Sequence, residues 1–152
     1  MLGEALEHPG TGRPYVVLPP AQLAEATPFL ASGAKYVLVV VSAGGAASLS
    51  VANARAWLDA GAAYICAWGP DASAVEESFD YASFLPELGT PLPYTLMTTS
   101  HESESLAAAL RFAFWDSAPP DDLASELRLV VVQPESAQLK KLVESWVRSN
   151  GR

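Results

Sequence analysis

Residues 35–41 contain the apolar run Tyr-Val-Leu-Val-Val-Val, which limits the folds open to this chain more than any other segment. Continuous β-branched character of this kind is typical of a strand buried on both faces of a parallel sheet. Shorter or weaker strand-like runs cover residues 15–18, 63–68, 94–98 and 127–132, and helix-like segments alternate with them. The pattern predicts five βα units and therefore a parallel sheet with helices on both faces.

The predicted fold class is α/β, as a three-layer αβα sandwich with a five-stranded, mostly parallel sheet. We expect the flavodoxin-like or Rossmann-like strand order 2-1-3-4-5, because that order is common for sheets built from five units. The main predicted helices cover residues 48–60, 103–117 and 134–148. Residues 1–13 are polar and contain several Gly and Pro residues, which favours a loose N-terminal tail before a single domain at 14–152.

Composition excludes several classes of protein. The 152 residues carry a net charge of −8, and the basic residues are scattered, so we expect no nucleic-acid partner. No apolar run approaches the ~18 residues that a membrane span needs, so we expect no membrane partner. The single cysteine, Cys66, cannot form an internal disulfide, which favours a reducing cytoplasm. A homo-oligomer is left open.

The most informative polar segment is residues 97–104, Met-Thr-Thr-Ser-His-Glu-Ser-Glu, because it joins a predicted strand to the most apolar helical run. In a parallel sheet, ligands bind beyond the carboxyl ends of the strands. Histidine can donate or accept a proton near pH 7, so the catalytic candidates are His101 and Glu102. The ligand-binding candidates at the same edge are Trp68, Asp71, Thr99, Glu104, Ser42, Gly44 and Gly45.

A structural interpretation of the same residues is favoured over the catalytic one. Thr99 or Ser100 would cap the following helix, and Glu102 would complete a capping box with Thr99. Gly44 and Gly45 lack the spacing of a phosphate-binding loop, which favours a flexible connection. Neither H-E-x-x-H nor C-x-x-C spacing is present, and we expect no metal and no cofactor. Cys66 lies inside a predicted strand and is expected to be a buried, unreactive thiol.

Four aromatic residues near the third predicted strand have two open interpretations. Trp68, Phe79, Tyr81 and Phe84 would form either a contact surface for a partner or part of the core beneath the proline-rich segment 86–93.

Two motifs carry a resemblance to a known family. The first is Tyr64-x-Cys66-Ala67-Trp68-Gly69-x-Asp71, and the second is Met97-Thr98-Thr99-x-His101-Glu102-x-Glu104. Together they resemble a family of small bacterial proteins described only as a domain of unknown function. The resemblance implies a bacterial origin and carries no activity.

We expect a non-enzymatic cytoplasmic module that binds a partner protein, as an accessory or immunity-type component. The motivation is the lack of a complete catalytic constellation, together with an acidic surface and loop aromatics. The alternative is an enzyme or a small-ligand or metal-binding protein that uses His101 with the nearby carboxylates, so whether the chain is an enzyme stays open. An exposed His101 in a pocket would favour the alternative, and a buried one would weigh against it.

Overall fold

The computed structural model describes residues 6–7, 14–18, 35–42, 51–117, 128–132 and 137–149. The strands are β1 (Leu6–Glu7), β2 (Pro14–Leu18), β3 (Tyr36–Val41), β4 (Ala62–Trp68), β5 (Met97–His101) and β6 (Arg128–Val132). The helices are α1 (Val51–Asp59), α2 (Ala72–Ala82), a 3-10 turn (Pro86–Leu88), α3 (Leu106–Arg111) with a π-helical continuation (Phe112–Asp116), and α4 (Ala137–Arg148). Residues 21–31, for which the sequence also indicates a helix, and the loop with Gly44 and Gly45 lie outside the described residues.

The sheet has the strand order β1-β2-β6-β3-β4-β5, and every neighbouring pair is parallel except β1 with β2. If β3 is counted as the first strand, the four strands β5, β4, β3 and β6 lie side by side in the order 3-2-1-4. The α/β class with a parallel sheet flanked by helices is confirmed. The predicted five-stranded sheet is wrong, because the described sheet also contains the short antiparallel strand β1 at one edge. The predicted order 2-1-3-4-5 is wrong as well, because the last strand is inserted between β2 and β3.

The helices cover both faces of the sheet, and β3 explains why. All six of its residues are buried, and successive side chains point to opposite faces. Leu38 and Val40 pack in a core with α1 and α2, whereas Val37 and Val39 pack in a second core with α3 and α4. The continuous apolar run therefore stabilises two helical layers, as its sequence predicts.

Strand β5 begins three residues later than the sequence predicts. The Tyr94 hydroxyl lies 3.0 Å from the Leu58 carbonyl oxygen and 2.9 Å from that of Ala62, which fixes this residue before the strand begins. In the described sheet β5 pairs only with β4, so its side chains are partly exposed and polar residues are tolerated. The shift places His101 inside the strand, as its last residue.

The carboxyl end of the π-helical turn is held by a buried arginine on β6. Arg128 is 1% exposed, and its guanidinium donates hydrogen bonds to the carbonyl oxygens of Ala113 (3.0 Å) and Ser117 (2.6 Å). These bonds satisfy carbonyl groups that a helix end leaves unpaired, and a cation is electrostatically favourable there.

Within the described residues, no helix is long and apolar enough to cross a membrane.

Candidate functional site

Two side chains meet at the carboxyl ends of the neighbouring strands β4 and β5. Trp68 and His101 are the last residues of these strands, and they are partners in the register. Trp68 is half-buried, while His101 is only 6% exposed. The predicted proximity of these two residues is therefore present, but the imidazole lies beneath the protein surface.

Both ring nitrogens of His101 are engaged. Nδ1 lies 3.0 Å from the Glu104 carboxylate, and Nε2 lies 3.0 Å from the Thr99 hydroxyl. The neutral imidazole fits this arrangement when Nδ1 donates to Glu104 and Nε2 accepts from Thr99. One side of the ring packs against Phe112, with 4.9 Å between the ring centroids. His101 therefore joins strand β5, the segment before α3 and the π-helical turn.

A second side chain fastens the same segment. The Trp68 indole Nε1 donates a hydrogen bond to the Glu104 carbonyl oxygen at 2.8 Å. Trp68 thus binds the main chain of Glu104, and His101 binds its side chain. Its carboxylate nevertheless remains 48% exposed. The arrangement presents a fixed negative charge at the surface.

Helix α3 begins at a different cap from the predicted one. Ser105 is the N-cap residue, and its hydroxyl accepts a hydrogen bond from the Ala108 N–H at 3.1 Å. The predicted capping box of Thr99 and Glu102 is wrong, because Thr99 lies within β5 and Glu102 precedes the helix as an exposed bend residue. The catalytic candidates His101 and Glu102 therefore differ in placement: one is buried and bonded, the other faces solvent.

Replacement of His101 by alanine is expected to lower the free energy of unfolding by about 2 kcal/mol, because two hydrogen bonds and a buried ring contact are lost. Urea denaturation of the variant and the wild type measures this difference. Glu102→Ala is the control and should stay within about 0.5 kcal/mol, since its side chain is exposed. Equal unfolding midpoints for His101→Ala and the wild type would show that the contacts of His101 do not stabilise the fold.

Cys66 is buried one strand away from Thr99. Burial raises the pKa of its thiol to about 12, in spite of a hydrogen bond with Thr99 and the charge of Arg128, which both lower it. A thiol with so high a pKa is almost fully protonated at neutral pH and is a poor nucleophile. The expected inert cysteine fits this environment.

The raised pKa of Cys66 predicts loss of stability at alkaline pH. Below the ordinary thiol pKa of 9.0, the thiol is protonated in both the folded and the unfolded chain. The difference between the two pKa values then leaves the free energy of unfolding unchanged. Above that pH the thiol ionises mainly in the unfolded chain, and at pH 11 this lowers the free energy of unfolding by roughly 2–3 kcal/mol. Between pH 8 and 11, the free energy of unfolding obtained from urea denaturation should therefore fall less steeply with pH for Cys66→Ala than for the wild type. An equal fall of the free energy of unfolding in both proteins would contradict this expectation.

The remaining candidates are distributed over the strand-end edge. Ser42 is fully buried, and its N–H donates to the Trp68 carbonyl oxygen at 3.0 Å, which ties the ends of β3 and β4 together. Asp71 is the N-cap residue of α2 without a capping side-chain bond, and α2 packs on the opposite face of the sheet from His101. Among the described residues, no group of three His, Cys, Asp or Glu side chains is placed to hold a metal ion.

The four aromatic residues near the third predicted strand separate into two groups. Phe79 is fully buried in the α1–α2 core, and Trp68 packs partly against the other core. Tyr81 and Phe84 are 43% and 54% exposed, with ring centroids 5.8 Å apart. Only this second pair is available as contact surface.

An open groove of about 380 Å³ lies between α3 and α4. Its lining residues are Glu104, Ala107, Ala108, Arg111, Phe112, Asp116 and Trp146. Ala107 and Ala108 are exposed, and the rings of Phe112 and Trp146 are half-buried. The groove therefore combines an apolar floor with charged residues, and Glu104 connects it to His101.

Sequence patterns singled out only Glu104 among these lining residues. The spacing of Glu104, Ala107, Ala108 and Arg111 would have placed them on one helical face. That signal does not identify Trp146, since its position depends on how α4 packs beside α3. The π-helical turn, closed by a 2.8 Å bond from the Ser117 N–H to the Phe112 carbonyl oxygen, is a feature often found at functional sites.

Comparison with known families identifies the chain only at the level of its family. No curated protein and no solved structure matches it. The family model described as "Domain of unknown function (DUF7684)" matches residues 14–150, which include His101 and the whole groove. The predicted membership of a family of unknown function is confirmed, while a bacterial origin stays a prediction. The chain belongs to the family of the domain of unknown function DUF7684.

Proposed function

We propose that this protein is a non-enzymatic protein-binding module of the cytoplasm, an accessory or immunity-type component, and that the α3–α4 groove is its contact surface. The observation that carries the proposal is the groove lining, where exposed alanines and two aromatic rings adjoin charged side chains. Apolar contact area with aromatic residues and a polar rim is the usual composition of a protein interface.

Two further features support contact with a protein. Leu142 is 53% exposed and lies one turn before Trp146 on α4, which extends the apolar surface beyond the groove. The hydrogen bonds from Trp68 and His101 fix Glu104 at the rim before any partner arrives. A contact surface that is already ordered loses less conformational entropy on binding.

A matched pair of substitutions tests the groove. Ala107→Trp fills it, whereas Ala74→Trp places the same side chain on an exposed position of α2. Affinity purification from lysate of the native organism should recover the same partner with the wild type and Ala74→Trp, and at least tenfold less with Ala107→Trp. Equal recovery with both variants, or no partner with the wild type, would refute the proposal.

An enzymatic role of His101 is the second candidate, and one observation favours it. Hydroxyl, imidazole and carboxylate follow one another from Thr99 through His101 to Glu104, which is the order of groups in a hydroxyl-activating triad. The burial of His101 weighs against substrate access, and the exposed member is the carboxylate. Incubation with a fluorophosphonate probe tests it by mass spectrometry: an adduct on Thr99 that His101→Gln abolishes would support the role, and no adduct would exclude acyl-transfer chemistry there.

A further inference from the structure

We propose that the partner that occupies the α3–α4 groove is a second copy of this chain, related by a two-fold axis that passes between Ala107 and Ala108. The inference rests on the proposed protein-binding function and names the partner of the same groove. It is carried by the charges and side-chain sizes of the groove residues on α3 and in the segment before it.

The groove lining carries complementary charges at its two ends. Ala107, Ala108 and Arg111 share one side of α3, and Glu104 lies two residues before that helix. All four residues are exposed and line the same groove. When two copies of α3 lie antiparallel about an axis between the two alanines, Glu104 of one copy faces Arg111 of the other. Two-fold symmetry repeats this contact, so a single contact surface produces two ion pairs.

The two charges cannot satisfy each other within one chain. Glu104 lies two residues before α3 and Arg111 is the last residue of that helix, so the length of α3 separates the two charges. Arg111 has no ion-pair partner among the described residues. Glu104 uses Oε2 for His101, and this bond fixes the carboxylate at the rim. Each charge therefore finds its complement in a second copy.

The residues at the proposed axis are small enough for close helix contact. Alanine side chains allow two helices to approach to about 8 Å, the short end of the usual interhelical range. Trp146 lines the groove, and the exposed Leu142 lies one turn before it, so apolar surface flanks the paired helices. Burial of Leu142 and of the groove lining would provide the apolar stabilisation that two exposed ion pairs do not.

Charge reversal tests the pairing in the full-length protein. Sedimentation velocity at several protein concentrations should show a dimer for the wild type and at least tenfold weaker dimerisation for Arg111→Glu and for Glu104→Arg alone. An equimolar mixture of these two variants should restore the dimer, because opposite charges then meet at both ends. Lys35→Glu changes the net charge as much as Arg111→Glu does, but lies outside the groove and should leave the dimer intact.

A second measurement covers the case in which Glu104→Arg does not fold, since Glu104 also holds His101. Cysteine placed at Ala108 should be cross-linked between two copies by a short bismaleimide, while cysteine at the exposed Glu77 on α2 should not. The buried native Cys66 does not compete.

Three results would overturn the two-fold pairing. They are a wild type that stays monomeric at high concentration, a dimer that Arg111→Glu does not weaken, and a mixture of folded charge variants that stays monomeric. The first result can occur while Ala107→Trp still prevents capture of another protein. The groove would then bind a different partner, so failure of self-association is distinguishable from failure of the proposed function.

Discussion

Replacement of Arg55 by alanine is expected to lower the free energy of unfolding by about 3–4 kcal/mol, since hydrogen bonds from a charged donor contribute about 1.5–3 kcal/mol each. Arg55 lies on α1 but is only 8% exposed. Its guanidinium donates to the carbonyl oxygens of Ala82 at 3.1 Å and Thr90 at 2.6 Å. One side chain thus joins α1 to the end of α2 and to the segment that leads to β5. Urea denaturation monitored by circular dichroism measures the loss.

Two control variants separate this role from the loss of a positive charge. Arg111→Ala removes an exposed arginine and should change the free energy of unfolding of the monomer by less than about 0.5 kcal/mol. Arg55→Lys keeps the charge but not the planar fork that reaches both carbonyl groups, so it should recover less than half of the loss. A loss below about 1 kcal/mol for Arg55→Ala would show that the carbonyl groups find other partners.

The role of Arg55 illustrates where sequence patterns fail in this protein. Helix α1 lies within the predicted range 48–60, because Trp57 and Leu58 supply a local apolar signal. An arginine within such a helix is ordinarily assigned to the exposed face. Its burial depends on carbonyl groups 27 and 35 residues away in sequence, and no local pattern contains that information.

The predicted strand order is wrong for a related reason. Each strand is recognisable from its own apolar run, so all five predicted strands correspond to observed ones. Pairing is not encoded in a single run, and β3 and β6 carry similar runs of valine. The assumed order leaves β6 at an edge, whereas the fold places it between β2 and β3, where the buried Val130 and Val132 face one core and Val131 faces the other.

The candidate site was predictable only where its contacts are local. His101 and Glu104 are three residues apart and their side chains lie 3.0 Å from each other, although neither residue lies in a helix. The bend between β5 and α3 brings them together. Phe112 and Trp146 contribute through the packing of α3 and α4, which depends on the unforeseen strand order. The polar residues of β5 also obscured its start, since the sequence of this edge strand has no apolar alternation.

Replacement of Gly69 by alanine is expected to have the largest effect of any single substitution considered, a loss of at least about 4 kcal/mol, combining backbone strain with steric overlap. Gly69 follows β4 with φ of +124°, a conformation that residues with a Cβ atom rarely adopt. An added Cβ would also overlap the Ser42 carbonyl oxygen, a backbone atom at the buried end of β3. Soluble yield and circular dichroism of the purified variant measure the effect.

Gly89 provides the matched control. Its φ of +126° is nearly the same, but an added Cβ would lie 3.6 Å from the nearest atom, the Arg55 Nη2. Gly89→Ala should therefore incur only the conformational strain, about 1–3 kcal/mol, and remain folded. Because φ is shared, the difference between the two variants isolates the close contact between the ends of β3 and β4. Equal losses for both would show that Ser42 can move aside, and that the strand-end edge beside Trp68 and His101 is less tightly packed than its hydrogen bonds indicate.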